Sequence, residues 1–143
     1  GDPIYHREFH KVLEIILSAG KEVKVITCGS NRSRAWWEKT AEIVQRYPDK
    51  VQFTFSVDGL EDTNHLYRIN SDWDSINTAM EVISGTGATV LWKFIVFKHN
   101  QHQIEEARRI ATERGFEFHQ IHSGRYSGED DPLRPDEQYV NKG

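Results

Sequence analysis

The sequence predicts an α/β domain built on a parallel four-stranded sheet. Three observations predict it. Four short β-rich runs alternate with helical patterns. That alternation implies βαβ units with right-handed crossovers. The runs also end in polar turn residues, three of the four with a glycine: Thr27-Cys28-Gly29-Ser30, Ser56-Val57-Asp58-Gly59, Lys98-His99-Asn100 and His122-Ser123-Gly124.

Each element has its own signal. Phe9, Val12, Leu13, Ile15, Ile16 and Leu17 recur at helical spacing, and Gly20 follows as a stop. Pro3 suits a first helical turn, with Asp2 placed to cap it. Glu22 to Cys28 is the first strand. Ser33 to Tyr47 reads as a helix that Pro48-Asp49 ends. Val51 to Val57 is a clean strand, closed by Asp58-Gly59. Ser75 to Ser84 is the next helix, and Thr89 to Phe97 the longest strand. Gln103 to Arg114 carries Ile104, Ala107, Ile110 and Ala111 on one face before Gly115, and Phe116 to Ile121 is the last strand. From Ser123 the chain turns polar, with Glu129-Asp130-Asp131 and few aliphatics. Residues 123–143 are therefore expected to form a flexible tail beside a domain spanning 1–122.

Composition bounds the function. A length of 143 residues with 37% hydrophobic and 28% charged is one ordinary domain, long enough for a core of its own. Eighteen Lys plus Arg against 22 Asp plus Glu leave a net charge of −4, which gives no support to a nucleic-acid binder. No apolar run is long enough for a membrane span, and Gly1 to His10 has no signal-peptide core, so a cytoplasmic protein is expected. The single Cys28 excludes an internal disulfide and a thiolate-built metal site. His6 and His10 stand four apart, but Arg7 follows the first where a zinc motif places glutamate; a solvated face is the plainer reading. No catalytic triad or phosphate-loop spacing is present.

The second strand points to a site. Val51, Phe53, Phe55 and Val57 share one face; Gln52, Thr54, Ser56 and Asp58 share the other. A central strand packed on both sides is apolar on both faces. The polar face must meet water, a ligand or a lined interior. Lys93 interrupts the third strand, and it either reaches the edge or serves an anionic partner. Ligands in parallel α/β folds sit beyond the carboxyl ends of the strands. There Ser56 and Asp58 can hydrogen-bond a sugar or an amino acid, whereas Asn100 and Ser123 read equally well as turn residues.

Ser56-Val57-Asp58-Gly59-Leu60, followed by His65-Leu66-Tyr67-Arg68, resembles the fourth-strand motif of radical S-adenosylmethionine (SAM) enzymes. Gly1-Asp2-Pro3 is similar to the end of that family's Gly-Gly-Glu-Pro motif, with Asp for Glu. Thr27-Cys28-Gly29 is similar to its Thr-Asn-Gly segment, and Val96 to Asn100 to the end of its fifth strand. The resemblance covers residues 1 to about 122. It implies a partial, half TIM-like barrel corresponding to the C-terminal part of a (β/α)6 core. It further implies that Asp2 lies near the SAM amino group, that Ser56 and Asp58 lie near its ribose or carboxylate, and that Thr27 belongs with them to the cofactor-binding residues. By the same resemblance Arg68 pairs with the carboxylate, and Lys93 faces the barrel interior.

The family's three cluster cysteines have no counterpart, and one thiol cannot ligate a four-iron, four-sulfur cluster. SAM and the cluster are therefore expected in a full-length parent and not in this chain, which reads as an inactive fragment of such an enzyme. Two other readings stand beside it. One is a non-catalytic module that forms a homodimer through its exposed sheet edge. The other is an unrelated small α/β binding domain, for which no glycine-rich phosphate loop speaks. No nucleic acid or membrane partner is expected, and the substrate is not legible in the sequence.

Overall fold

A computed structural model describes residues 1–122 and 124–140. Ser123, part of the fourth strand end and the first residue of the expected tail, lies outside the described residues, as do 141–143. The sheet is four-stranded and parallel throughout, in the order β1 (Val23–Thr27), β2 (Val51–Ser56), β3 (Thr89–Ile95), β4 (Glu117–Ile121). Helix α1 (Phe9–Ser18) precedes β1, α2 (Arg34–Val44) joins β1 to β2, and α3 (Asn64–Tyr67) with α4 (Trp73–Ser84) joins β2 to β3. Helix α5 (Ile104–Glu113) leads into β4. The order agrees with the α/β class read from the sequence; α3 is a further short turn within what the pattern left as a polar link.

Caps set the helix boundaries. The Ser33 hydroxyl accepts the Trp36 N–H at 3.1 Å, and the Asp72 carboxylate accepts the Ser75 N–H at 3.1 Å. The second cap starts α4 at Trp73, two residues before the apolar pattern suggests. Asp2 does cap a turn, accepting the Ile4 N–H at 3.2 Å, but that turn is a separate 3₁₀ helix, Pro3–Tyr5. Extended backbone at His6 breaks it from α1.

The register sorts the sheet into two faces. Val25, Phe53, Phe55, Val90, Trp92 and Phe94 are buried with Leu13 and Leu17 of α1, Trp37 of α2, Ile76 and Met80 of α4, and Ala107 and Ala111 of α5. Trp37 sits 6.0 Å from Phe55 and 6.2 Å from Phe53, centroid to centroid. On the other face Lys24, Thr89, Lys93, Glu117 and His119 are exposed, and Gln52 and Ser56 half-buried. The helix-packed face is the one the β2 alternation predicts; on the other face Thr54, read with Gln52 and Ser56 as polar and open, is buried.

The polar segment after β4 holds one helical turn, Glu137–Tyr139. Contacts join it to the loop after β3 and to the core. The Lys98 N–H donates to the Leu133 carbonyl at 3.2 Å, the Asp136 N–H to Gln101 at 2.8 Å, and Tyr139 packs against the core. No helix among the described residues is long and apolar enough to cross a membrane.

Candidate functional site

A cleft of about 700 Å³ opens at the carboxyl ends of β1 and β2. It gathers Asp2, Thr27, Ser56 and Arg68, four of the six residues singled out in the sequence. Tyr5, Cys28, Ser30 and Tyr67 are among the other residues of its wall.

Asp2 reaches the end of β1 although 25 residues separate it from Thr27. One carboxylate oxygen accepts from the Thr27 hydroxyl at 2.9 Å and from the Cys28 N–H at 2.8 Å. These charge-assisted bonds fix an anion at the cleft wall. Gly29 follows at φ +74°, and a Cβ there would press on the Phe55 ring. Beside it the Tyr5 hydroxyl donates to the Ser30 carbonyl at 3.0 Å and lies 3.6 Å from the Cys28 sulfur. Burial pushes the Tyr5 phenol up to about 12 and pushes the Cys28 thiol up as well. A raised thiol pKa makes Cys28 a poor nucleophile.

Asp58 is placed differently from what the resemblance implied. Its side chain is fully buried and does not line the cleft. One oxygen accepts the Ile95 N–H at 2.8 Å; the other accepts Arg68 Nε at 2.8 Å. Burial raises its pKa, against the pull of Arg68 and of the Ile95 N–H. The Asp58 N–H donates to Asn64 at 2.8 Å, and Asn100 donates to the Asp58 and Ile95 carbonyls at 3.0 and 2.9 Å. Asp58 thus ties the loops after β2 and β3 together and aims Arg68 into the cleft. Gly59, at φ +136°, leaves room for the Thr63 hydroxyl that a Cβ would strike.

Arg68 spends Nε on Asp58, and its Nη groups make no further hydrogen bond among the described residues. The Ser56 hydroxyl likewise has no hydrogen bond among them. Both line the cleft, so donors for a planar anion stand ready there. Lys93 lies outside the cleft. It lines an adjoining cavity of about 120 Å³ with Ser56, Arg68, Ile95, Ile121 and Arg125.

Asn64 and Asn100 were missed as organisers. Asn100 is fully buried and makes three side-chain hydrogen bonds, two of them to carbonyls at the ends of different strands. Its position after a strand end signals only a turn residue. Tyr5 comes from the Pro3 turn, Tyr67 from α3 and Arg125 from the segment after β4, and no spacing rule joins them. Among the described residues no group of three or more His, Cys, Asp or Glu is arranged to hold a metal.

No family model matches the sequence, and no curated protein matches it. Solved structures do. Streptococcus suis SuiB matches with a TM-score of 0.68 at 14% identity, over 92% of this chain and 30% of SuiB. SuiB bound to S-adenosylmethionine matches with a TM-score of 0.67 at 15% identity, over 84% of this chain and 27% of that one. SuiB bound to its precursor peptide SuiA gives 0.67 at 15%, over 84% and 26%. The chain therefore spans less than a third of SuiB's length, and at this identity the likeness is one of fold.

Proposed function

We propose that this chain is the SAM-docking part of a radical SAM enzyme core, its sheet a segment of a (β/α)6 half-barrel. One observation carries the reading. Asp2, Thr27, Ser56 and Arg68, taken from motifs spread over 67 positions, line a single cleft at the strand ends. The fold it shares with SuiB, one structure of which holds SAM, supports it.

The cleft suits the cofactor's charges. The Asp2 carboxylate offers an anion to an ammonium group. Thr27 belongs to the same wall, with its hydroxyl already given to Asp2. Ser56 and the Arg68 Nη groups offer donors to a carboxylate. Asp58 belongs to this site as the group that holds Arg68, not as a direct contact. In a complete enzyme SAM supplies a deoxyadenosyl radical that abstracts hydrogen from substrate. The cluster such chemistry needs does not fit this chain's residues, because Cys28 is its single cysteine. The chain by itself is thus a docking scaffold without radical activity, and it holds SAM weakly.

Calorimetric titration with SAM tests this. The expected result is weak, saturable binding that falls about tenfold in Arg68→Ala and in Ser56→Ala, as for loss of a hydrogen bond to a charged group. Ser56→Ala leaves the Asp58 network whole, so its effect is read on a folded protein. Equal binding by Ser56→Ala and the wild type, or no saturable heat at all, contradicts the proposal.

A second reading has one observation in its favour. Strand β1 is an edge, paired only with β2, and a groove of about 330 Å³ between it and α1 is lined by Phe9, Val12, Leu13, Ile16, Val23 and Val25. Ile26 of the same strand, on the cleft side, is 58% exposed. A homodimer closing that edge would cover both. Light scattering behind size exclusion decides: a strict monomer at high concentration removes it.

A further inference from the structure

The cavity beside the cleft carries more positive charge than SAM docking uses. Ser56 and Lys93 are cross-strand neighbours on the open face, and the next pair on β3 and β4, Ile95 and Ile121, forms an apolar wall. Two guanidinium groups are held at the rim. Arg68 is fixed by Asp58 at 2.8 Å, and Arg125 donates to the Tyr67 hydroxyl at 3.1 Å. Lys93 makes no ion pair among the described residues. Of the nearby carboxylates, Asp58 has both oxygens engaged beneath the surface, and Glu117 sits 3.5 Å from His119.

We propose that Lys93 and Arg125 form a carboxylate-binding subsite beside Ser56 and Arg68, and that the substrate carries a carboxylate that docks there. Assigning that carboxylate to the substrate rests on the SAM reading of the cleft; the anion chemistry of the cavity does not. Guanidinium and ammonium groups lining one small space suit a planar anion. The apolar wall lowers the local dielectric and strengthens each contact. At about 120 Å³ the cavity takes a carboxylate with a few waters and is too small for a nucleoside. Because Ser56 and Arg68 line both spaces, an anion held here lies beside the ligand of the cleft.

The test is an amide chemical-shift titration of the 143-residue chain with two capped tripeptides, acetyl-Gly-Glu-Gly-amide and its Gln counterpart, and separately with SAM. The Glu peptide is expected to shift Ser56, Lys93 and Ile121, and to bind about tenfold more tightly than the Gln peptide. Lys93→Gln should weaken it about fivefold and Lys93→Arg should restore it, since an exposed cation contributes mainly through charge. Equal binding of the two peptides, shifts confined to other surfaces, no binding, or an unaffected Lys93→Gln overturns the subsite. Binding of the Glu peptide without binding of SAM keeps the subsite and removes the reading of the cleft. SAM binding that by itself saturates the Lys93 and Ile121 shifts and blocks the Glu peptide assigns the cavity to the cofactor's own carboxylate and overturns a substrate role.

Discussion

On one face of the sheet Phe53, Phe55, Trp92 and Phe94 are fully buried beneath helices. On the other, the same two strands present Gln52, Ser56, Thr89 and Lys93 to solvent or to a cavity. One backbone thus serves two tasks through the period-two alternation of side chains. The packed face supplies rigidity. The open face is relieved of packing and can carry groups chosen for a ligand. The two meet at the strand ends, where buried Asp58 holds the cleft residue Arg68.

This contrast predicts a graded set of responses. Phe55→Ala or Trp92→Ala should cost about 3–5 kcal/mol in denaturant unfolding, as for large aromatics removed from a core. Trp92 loses in addition its hydrogen bond to the Val57 carbonyl, at 2.8 Å. Asn100→Ala should cost about 3 kcal/mol, because it leaves the Phe97 N–H and two carbonyls without their side-chain partner. Asp58→Asn should cost about 2 kcal/mol, less than a fully enclosed ion pair, since Arg68 keeps 26% of its side-chain surface exposed. An Asp58→Asn that leaves both stability and SAM binding untouched would break the link between the two faces.

Acid should act from the packed side as well. Burial lowers the pKa of His10, whose ring lies 2.7 Å from the Thr40 hydroxyl, and lowers that of His99, stacked on Phe97. A histidine with a depressed folded pKa binds its proton more readily in the unfolded chain. Its stabilisation is therefore complete above the ordinary imidazole value and is lost as pH falls through that value toward the depressed one. Urea midpoints followed downward from neutral pH should decline over that window, and the decline should shrink in His10→Gln. The smallest response belongs to the open face: Gln52→Ala should move stability by no more than ~0.5 kcal/mol.

The sheet was legible because alternation in Val51 to Val57 and the run from Thr89 leave few other arrangements. Element ends were less so. The Asp72 cap moves the start of α4 to Trp73, and extended backbone at His6 detaches the Pro3 turn from α1. Four site residues came to line one cleft, Thr27 and Ser56 from strand ends, Asp2 from the cap of the Pro3 turn and Arg68 from the end of α3. Asp58 did not, because a carboxylate in a motif carries no mark of which way it faces. Its partners, Arg68 ten residues on and Ile95 thirty-seven on, are settled only by the path of two loops. Asn100 was hidden for the same reason.

The most direct measurement is the amide chemical-shift footprint of S-adenosylhomocysteine on the isotope-labelled chain. The account predicts shifts clustered at Thr27, Cys28, Ser56 and Arg68, with Leu13, Leu17 and the α1–β1 groove unmoved. A footprint on that groove, or no concentration-dependent shift at the strand ends, would contradict it.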